Sequence, residues 1–283
     1  MTDVSVVTLN KGRERHLHRL VEGLGRGDQP RELVVVQMGD ASPALPTVSF
    51  PIRQIAVPGN GLPLAAARNA GRRAALGQTL VFLDVDCIPS ANLVSAFDDV
   101  LSRHDALVCC AVRYLPAGAV ADDWTEATLH REGVLHPARS FPEHGVASVA
   151  EPGLFWSLAF GMRAASFDRV GGFDEAFVGY GAEDTDFSFR AVAAGLPLLF
   201  AGGMQAFHQH HPVFDPPLQH FGDIVRNARI FRQRHGLWPM DGWLDAFARL
   251  GLVASDRSGD LTVLRVPSPA EIDAARLASD RIF

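Results

Sequence analysis

The chain reads Leu80-Val81-Phe82-Leu83-Asp84-Val85-Asp86-Cys87-Ile88-Pro89 over residues 80–89. The four apolar residues predict a buried strand, and Asp84 and Asp86 follow where that strand should end. In an open α/β sheet, ligands bind outside the carboxyl ends of the strands. Two carboxylates at that edge could hold a divalent cation against a phosphate. Because the same Asp-x-Asp pattern recurs at Asp184 and Asp186, the rest of the chain must decide what each copy means.

Strand and helix patterns alternate on both sides of this stretch. Apolar or β-branched runs predict strands at residues 4–9, 33–36, 52–57, 79–83 and 106–112. Helical spacing or helix-forming composition predicts helices at residues 16–24, 62–76 and 90–104, with Ser90 as the N-cap of the third. Strands that alternate with helices in this way predict an α/β protein whose mostly parallel sheet is covered on both faces.

The second half of the chain continues this pattern after a weaker region. Residues 113–150 are predicted to form loops around one short helix at residues 124–131, where a variable, substrate-facing insertion would lie. Strands are then predicted at residues 154–162, 198–201 and 261–266, and helices at residues 165–170, 183–194, 218–235 and 244–252. A capping box, Ser268-Pro269-Ala270-Glu271, begins a final helix. No linker separates a second domain, so we expect a single domain over residues 1–283.

The composition limits the class of protein and its setting. A net charge of −6 argues against a broad nucleic-acid-binding surface. The three cysteines provide neither a disulfide framework nor a Cys-x-x-Cys motif, which favours a reducing, cytoplasmic setting. We find no signal-peptide pattern at the N-terminus and no apolar stretch near the roughly 20 residues that a membrane span needs. Peripheral contact with the inner face of a membrane stays open, because the helix predicted at residues 218–235 carries arginines.

Five motifs in order resemble a known family. Three are similar to the nucleotide-binding half of GT-A glycosyltransferases, especially the inverting family 2 enzymes: Val4-Ser5-Val6-Val7-Thr8, Ala67-Arg68-Asn69-Ala70-Gly71 and Leu83-Asp84-Val85-Asp86. Two look like the acceptor half: Gly171-Gly172-Phe173-Asp174-Glu175 and Gly179-Tyr180-Gly181-Ala182-Glu183-Asp184-Thr185-Asp186. The last resembles the Gly-Trp-Gly-Gly-Glu-Asp motif of β-1,4-galactosyltransferases and bacterial chondroitin-type polymerase domains. The resemblance covers residues 3–215.

The resemblance implies a GT-A three-layer α/β/α sandwich with a helical C-terminal extension. Residues 1–112 would form the nucleotide-binding half, residues 113–215 the acceptor and metal half, and residues 216–283 the extension. The implied activity is an inverting, metal-dependent transfer of a hexosyl or N-acetylhexosaminyl group. The donor would be a nucleotide sugar, expected to be UDP-linked, and the acceptor a hydroxyl group on a glycan or glycoconjugate.

The resemblance also implies a role for each carboxylate of the first Asp-x-Asp. Asp84 would contact the ribose or uridine, and Asp86 would coordinate a divalent metal on the diphosphate. Such a cation stabilises the negative charge that grows on the leaving diphosphate. His208 would complete the metal site, and its nitrogen favours Mn²⁺ over Mg²⁺, although Mg²⁺ stays open. His210 and His211 remain alternatives, since a strand would turn His208 and His210 to the same face.

The acceptor side is expected at the start of the helix that follows the Gly-Tyr-Gly turn. The resemblance makes Asp184 the general base that takes the proton of the acceptor hydroxyl. Glu183 would bind sugar hydroxyls, and Tyr180 would offer a stacking surface for a sugar. Acidic residues in a first helical turn are also common without any function, because they interact favourably with the helix dipole.

The remaining donor-binding candidates follow the first strands. The resemblance places Thr8, Asn10 and Arg13 near the uridine, and Asp40 could accept a hydrogen bond from the uracil imide. The Asp-Asp-Gly-Ser motif usual in the family is replaced here by Met38-Gly39-Asp40-Ala41-Ser42, so the match shifts by a residue. Arg68 is a candidate partner for uracil or phosphate.

Three alternatives remain at this point. A non-catalytic homologue would bind a nucleotide sugar without transferring it. A sugar nucleotidyltransferase would need a longer Gly-rich basic loop than Asn10-Lys11-Gly12-Arg13. A zinc hydrolase could use His208, His210 and His211, but it would leave both Asp-x-Asp motifs unexplained.

Overall fold

The computed structural model describes residues 2–39, 42–59, 61–255 and 260–278. The strands in these ranges are β1 Val4–Asn10, β2 Glu32–Met38, β3 Ile52–Val57, β4 Thr79–Leu83, β5 Cys87–Pro89, β6 Leu107–Tyr114, β7 Val134–Leu135, β8 Val146–Val149, β9 Ala159–Arg163, β10 Leu198–His208, β11 Val253–Ser255 and β12 Leu261–Val263. The helices are α1 Glu14–Arg26, α2 Leu64–Ala74, α3 Leu93–Arg103, α4 Glu126–Glu132, α5 Ala164–Val170, α6 Glu183–Ala193, α7 Phe221–His235, α8 Asp241–Arg249 and α9 Pro269–Ala274.

Strands β1 to β10 form one central sheet in the order β3-β2-β1-β4-β9-β6-β10-β5, with β7 beside β6 and β8 beside β10. Strands β3, β2, β1 and β4 run parallel to one another, and β10 runs parallel to β6. Strand β9 is antiparallel to both of its neighbours. The α/β class with a mostly parallel central sheet is therefore confirmed.

Helices cover the sheet on both faces and complete the three-layer sandwich that the resemblance implied. On one face, α1 and α3 pack on the strands, and the apolar side of α1 consists of Leu17, Leu20, Val21 and Leu24. On the other face, α2, α5 and α6 surround a group of phenylalanines in which Phe173 stacks on Phe187 at 4.2 Å. Strand β1 is buried along its whole length, as expected for a central strand covered from both sides.

A glycine lets α2 approach the central strand closely. A Cβ atom on Gly71 would lie 2.3 Å from Cγ1 of Val7 and 3.2 Å from Cγ2 of Val36. A glycine at such a position allows a helix backbone to lie directly against a sheet. Because Arg68 lies one turn earlier on the same face of the helix, this contact also fixes where the Arg68 side chain begins.

Strand β10 is longer than the sequence predicted. The prediction ended at Ala201, whereas the strand continues to His208 after a bulge between Ala201 and Gln205. Gly202 and Gly203 interrupt the apolar run at this bulge, which is why the pattern stopped there. This extension places His208 at the edge of the sheet formed by the carboxyl ends of the parallel strands.

Two other predictions are wrong in detail. Asn92, and not Ser90, is the N-cap of α3. The Ser90 hydroxyl donates to Oδ1 of Asn92 at 3.0 Å and accepts from the backbone N–H of Gln205 at 3.2 Å, so it ties α3 to β10. The strand predicted at residues 154–162 begins only at Ala159, because Pro152–Leu154 form a 3-10 turn.

The C-terminal part has an apolar cluster of its own. Helices α7 and α8 and the β11–β12 hairpin bury Phe221, Ile224, Phe247 and Leu261 together. The predicted capping box is confirmed at α9, where the Ser268 side chain accepts from the N–H of Glu271. Within the described ranges, none of the helices is both long and apolar enough to cross a membrane.

Candidate active site

Two strands bring Asp86 and His208 together at the edge of the sheet. After β4 the chain turns through Asp84 and Asp86 and returns as β5, which pairs antiparallel with the end of β10. Cys87 lies opposite His208 in this pairing, and the N–H of Gln209 donates to the carbonyl oxygen of Asp86 at 2.7 Å. The backbone therefore holds Asp86 beside the last residue of β10.

Asp86, His208 and His211 form a cluster that fits a metal ion. One ligand atom from each residue lies within 4.8 Å of the other two. Nε2 of His208 is 3.5 Å from Oδ1 of Asp86, and Nε2 of His211 is 3.4 Å from Oδ2. Oδ1 of Asp86 is buried with no hydrogen bond among the described residues, which is costly unless a ligand satisfies it. A carboxylate and two imidazoles suit a first-row divalent ion such as Mn²⁺.

His211, and not His210, is the second histidine of this cluster. The carbonyl oxygen of His210 lies 3.3 Å from Nε2 of His16, and its side chain is not part of the cluster. Because β10 ends at His208, the alternation of side chains along a strand no longer applies to the residues that follow. The three-histidine site of a zinc hydrolase is therefore not formed.

The protonation states of His208 and Asp86 are those that metal ligands require. Burial lowers the pKa of His208 to about 4 despite the neighbouring Asp86, so its imidazole is neutral near pH 7. Burial acts to raise the pKa of Asp86, but His208, His211 and Arg13 outweigh it and hold that pKa well below its usual range. A neutral imidazole and an ionised carboxylate are the forms that coordinate metals.

The donor-binding candidates on β1 and directly after it differ in their accessibility. Thr8 is fully buried and its hydroxyl has no partner among the described residues. Asn10 is buried and donates to Oε1 of Gln37 at 2.8 Å. Arg13 is half-exposed and donates a hydrogen bond to Oδ2 of Asp86. Of these three residues, Arg13 alone presents its side chain to the metal cluster, while Asp40 lies outside the described residues.

Arg68 connects the two predicted halves of the site. Its Nη1 donates to Oε1 of Glu183 at 3.0 Å, and its Nη2 donates to the hydroxyl of Ser157 at 2.7 Å. The same Nη2 lies 3.7 Å from Oδ1 of Asp84, and the guanidinium carbon is 4.9 Å from the ring centroid of Phe173. Arg68 is therefore enclosed between the end of β4 and the start of α6, with Ser157 as a partner that the sequence did not reveal.

Burial changes the acid–base state of this network. It raises the pKa of Asp84 to about 7, with Asp86 and Glu183 adding to the rise and Arg68 opposing it. Burial also raises the pKa of Glu183, and neighbouring Asp184 adds to this effect. Oε2 of Glu183 is buried without a hydrogen bond in the described structure. Asp84 is thus held partly protonated near neutral pH, and the pKa of Glu183 is shifted in the same direction.

A left-handed turn aims the acidic residues at the start of α6. Gly179 and Gly181 have φ values of 82° and 95°, and Ala182 has a φ of 69°. Left-handed backbone costs a residue with a Cβ about 1–2 kcal/mol, and Ala182 packs its methyl group with Phe177 and Phe231. After this turn Glu183 points into the protein, while Asp184 is half-buried.

Asp184 and Tyr180 lie on either side of the same turn. Oδ1 of Asp184 accepts from the backbone N–H of Thr185 at 2.7 Å, and the described residues provide no hydrogen bond to its other oxygen. The ring of Tyr180 is half-buried and stacks on His220 at 4.5 Å, with Trp243 at 6.0 Å. The C-terminal extension thus covers one face of the ring that the sequence suggested for sugar stacking.

The two carboxylates of the second Asp-x-Asp, Asp184 and Asp186, have different environments. Asp186 is fully buried and bonds to Nε of Arg190 at 2.7 Å and to Nε2 of His235 at 2.9 Å. It therefore joins α6 to α7 and cannot be reached by a substrate. Only Asp184 of this pair remains available for chemistry.

A cavity of about 30 Å³ adjoins the metal cluster on the side of residues 113–158. Its lining includes Cys109, Tyr114, His136, Arg139, Phe141 and Trp156. The ring of Tyr114 lies 4.9 Å from that of His208, which connects the cavity to the cluster. The sequence marked this region as substrate-facing but did not identify these residues.

The sheet order, the two helical layers and the acidic edge at β4 define the class of the protein, which is a GT-A fold. Solved structures share it: S. aureus TarS 1-349 in complex with UDP has a TM-score of 0.55 at 14% identity, covering 89% of this chain and 71% of that chain. GalNAc-T7 with UDP, GalNAc and Mn²⁺ has a TM-score of 0.51 at 17% identity, covering 74% and 43% of the two chains.

Within this class, the chain belongs to the family described as "Glycosyltransferase like family 2", which matches residues 6–201. It is 30% identical over 173 residues to validoxylamine A glucosyltransferase of Streptomyces hygroscopicus subsp. jinggangensis, covering 53% of this chain and 40% of that protein. The homologue from subsp. limoneus gives the same identity over 38% of its length. The chain thus spans about two fifths of the length of these curated relatives.

Proposed function

We propose that this protein transfers a hexosyl or N-acetylhexosaminyl group from a UDP-sugar to a hydroxyl group of a carbohydrate acceptor, with inversion and with a divalent metal. The observation that carries the proposal is the cluster of the buried Asp86 and His208 with the half-buried His211, directly after the half-buried Asp84. The relatives support it: TarS 1-349 has been crystallised with UDP-GlcNAc, and the matched Streptomyces proteins are glucosyltransferases.

The donor would bind across the ends of β1 and β4. A metal ion held by Asp86, His208 and His211 would stabilise the charge on the leaving diphosphate, and the two nitrogen ligands favour Mn²⁺ over Mg²⁺. Asp84 would accept from the ribose or uracil, and Arg13 lies beside the cluster where it could reach a phosphate. Thr8, Asn10 and Asp40 keep the donor-binding role that the resemblance implies.

Arg68 would act on the donor site through its neighbours. Its guanidinium is 3% exposed and is already bound by Glu183 and Ser157 with Asp84 close by. A group enclosed in this way orients the carboxylates around it more readily than it contacts a nucleotide. We therefore assign Arg68 the role of positioning Asp84 and Glu183, with Glu183 and Tyr180 on the sugar side.

Asp184 would be the general base. In a single displacement, the acceptor oxygen bonds to the anomeric carbon while its proton passes to the Asp184 carboxylate. The bond between the anomeric carbon and the diphosphate oxygen breaks with its electron pair, and UDP leaves. The N–H of Thr185 holds Oδ1 of Asp184, which leaves the other oxygen for the proton.

Thermal unfolding with UDP-, GDP- and dTDP-sugars, each with and without Mn²⁺, tests the donor. We expect UDP-sugars with Mn²⁺ to raise the Tm most, since a ligand at 100 times its Kd adds about 2.7 kcal/mol to the stability of the native state. Asp86→Asn should lose the part of the shift that depends on the metal. Asp99→Asn, at an exposed site on α3, is the matched control. An unchanged metal-dependent shift in Asp86→Asn would reject the cluster as the metal site.

A second measurement separates the enzyme from a non-catalytic homologue. With UDP-sugar and Mn²⁺ but no acceptor, a glycosyltransferase releases UDP slowly by transfer to water. We expect this release in the wild-type protein and its loss in Asp86→Asn. Tight UDP-sugar binding with no UDP release, alone or with any carbohydrate acceptor, would favour the non-catalytic homologue.

We propose a cytoplasmic location, which the chemistry of the cysteines supports. Cys87, Cys109 and Cys110 are all unpaired and buried, as is usual in a reducing compartment. A membrane-binding role for α7 gains no support, because its arginines bond within the protein. Arg226 donates to the carbonyl of Val178, and Arg229 donates to that of Leu261.

A further inference from the structure

Arg139 lies in the cavity beside the proposed site with its charge largely unused. It belongs to the segment between β7 and β8, and its guanidinium carbon is 3.6 Å from the ring centroid of Trp156. His136 meets the same indole edge-on at 4.9 Å. Stacking on an aromatic ring holds a guanidinium flat and leaves the N–H groups at its edge free to donate.

Most N–H groups of the Arg139 guanidinium have no hydrogen-bond acceptor among the described residues. Within the described ranges, its side chain makes one hydrogen bond, from Nη1 to the carbonyl oxygen of the preceding Ala138 at 3.1 Å. Its Nε is buried and has no partner there, although a guanidinium carries five N–H donors. Arg68, by contrast, meets Glu183 and Ser157 directly. Among the residues that the structure describes, the oriented guanidinium of Arg139 is thus in hydrogen-bond or ion-pair contact with none of the carboxylates.

Arg139 shares its cavity with side chains that lead to the metal cluster. Tyr114 and Cys109 line the same cavity as Arg139. Burial lowers the pKa of the Arg139 guanidinium, while Tyr114, Cys109 and Asp184 act in the opposite direction. Asp184 is the proposed base and must meet the acceptor hydroxyl. The ring of Tyr114 lies 4.9 Å from that of His208, so the cavity borders the metal cluster.

We propose that Arg139, stacked on Trp156, binds an oxyanion on the acceptor, either a carboxylate or a phosphate group of a sugar. This inference rests on the proposed function, because it takes Asp184 as the residue that meets the acceptor. A planar guanidinium binds either group with two parallel hydrogen bonds, so carboxylate and phosphate share one recognition chemistry. The acceptor is therefore an acidic carbohydrate.

Titration calorimetry with three sugars tests the proposal, namely methyl β-D-glucoside, methyl β-D-glucuronide and methyl β-D-glucoside 6-phosphate. Each is titrated into the full chain saturated with UDP and Mn²⁺, which blocks the donor site, and again without either. We expect at least one charged sugar to bind about tenfold or more tightly than the neutral one. The stronger of the two charged sugars identifies carboxylate or phosphate as the anion.

Arg139→Gln should remove this preference while leaving the affinity for the neutral sugar unchanged. Arg131→Gln is the matched control, since Arg131 is exposed on α4 and pairs with Glu132. Equal binding of the charged and neutral sugars by the wild-type protein would overturn the proposal, as would an unchanged preference in Arg139→Gln. Failure of UDP binding would instead contradict the proposed function, and the titrations without UDP would still decide the role of Arg139.

Discussion

Asp86 is the residue on which the proposed metal site depends, because three side chains approach its two oxygens. His208 and His211 flank them at 3.5 and 3.4 Å, and Arg13 donates to the same Oδ2 that faces His211. A guanidinium and a divalent cation would compete for that oxygen. Arg13 therefore lies where it would share Asp86 with a bound cation.

Arg13→Gln should increase the affinity for Mn²⁺ measured without nucleotide. The Arg13 side chain is 37% exposed, and half-exposed ion pairs contribute at most about 1 kcal/mol, so the gain should reach up to about fivefold. Titration with Mn²⁺ followed by electron paramagnetic resonance measures it. Arg15→Gln, an exposed position on α1, should leave the affinity unchanged. A lower affinity in Arg13→Gln would show that Arg13 supports the metal site instead of competing with it.

Asp184→Asn should abolish transfer and preserve donor binding. A positioned general base contributes about 10²–10⁴ to the rate, and an amide cannot accept the acceptor proton. Mn²⁺-dependent UDP affinity should stay within about twofold of wild type, because Asp184 lies outside the metal cluster. Transfer rate and UDP affinity are measured on the same preparation. Asp168→Asn, an exposed carboxylate on α5, is the control, and full transfer by Asp184→Asn would disprove the assignment.

At the scale of the element, local patterns predicted the helices and most strands. The spacing of Leu17, Leu20 and Leu24 places them on one side of α1, and each is at most 1% exposed. The predicted strand ended before Gly202, although β10 continues to His208, because glycines do not contribute to an apolar pattern. A Cβ on Gly202 would lie 2.1 Å from the carbonyl oxygen of Pro142, so the glycine is required by a segment 60 residues away that no local pattern contains.

Gly71 makes a similar long-range contact, and its replacement tests how α2 is held. Gly71→Ala should lower the free energy of unfolding by about 1–3 kcal/mol, because the new methyl group would meet Val7 at 2.3 Å and force α2 away from the sheet. Urea denaturation measures the change. UDP affinity should fall as well, since Arg68 lies on the same helix face and would shift with it.

Gly222→Ala is the matched control for this substitution. Gly222 is also helical, in α7, but a Cβ there would meet nothing within 4 Å. Alanine is favoured over glycine in a helix by up to about 1 kcal/mol, so this variant should be as stable as wild type or slightly more stable. Equal stability of Gly71→Ala and Gly222→Ala would show that the helix can move without cost.

At the scale of the whole molecule, the site combines residues that no local pattern could bring together. Arg68 and Glu183 were each singled out from their motifs, but their contact joins positions 115 residues apart. His211 was left as one of two alternatives to His208, and the strand geometry that grouped His208 with His210 ends at His208. Ser157 and Arg139 carry no motif at all, and only the packing of the chain between β7 and β9 places them beside the site.

The C-terminal extension supports the candidate base from beyond the part of the chain that matches the family. The family match ends at residue 201, yet α7 contacts the turn that precedes Asp184. Nδ2 of Asn227 donates to the carbonyl of Val178 at 3.1 Å and to that of Gly181 at 2.9 Å, and Asn227 is fully buried. Helix α7 therefore fixes the left-handed backbone that aims Asp184.

Asn227→Ala should reduce transfer more than it reduces folding. The loss of the buried hydrogen bonds of the Asn227 side chain should lower the free energy of unfolding by about 1–3 kcal/mol. Transfer should fall between about tenfold and a hundredfold, because a small displacement of a catalytic group has effects of that size. UDP affinity should not change, since the metal cluster lies on other elements, and this separates loss of positioning from general damage. Gln233→Ala, exposed on the same helix, is the control. Parallel losses of transfer and UDP affinity in Asn227→Ala would show instead that α7 stabilises the whole domain without a specific effect on Asp184.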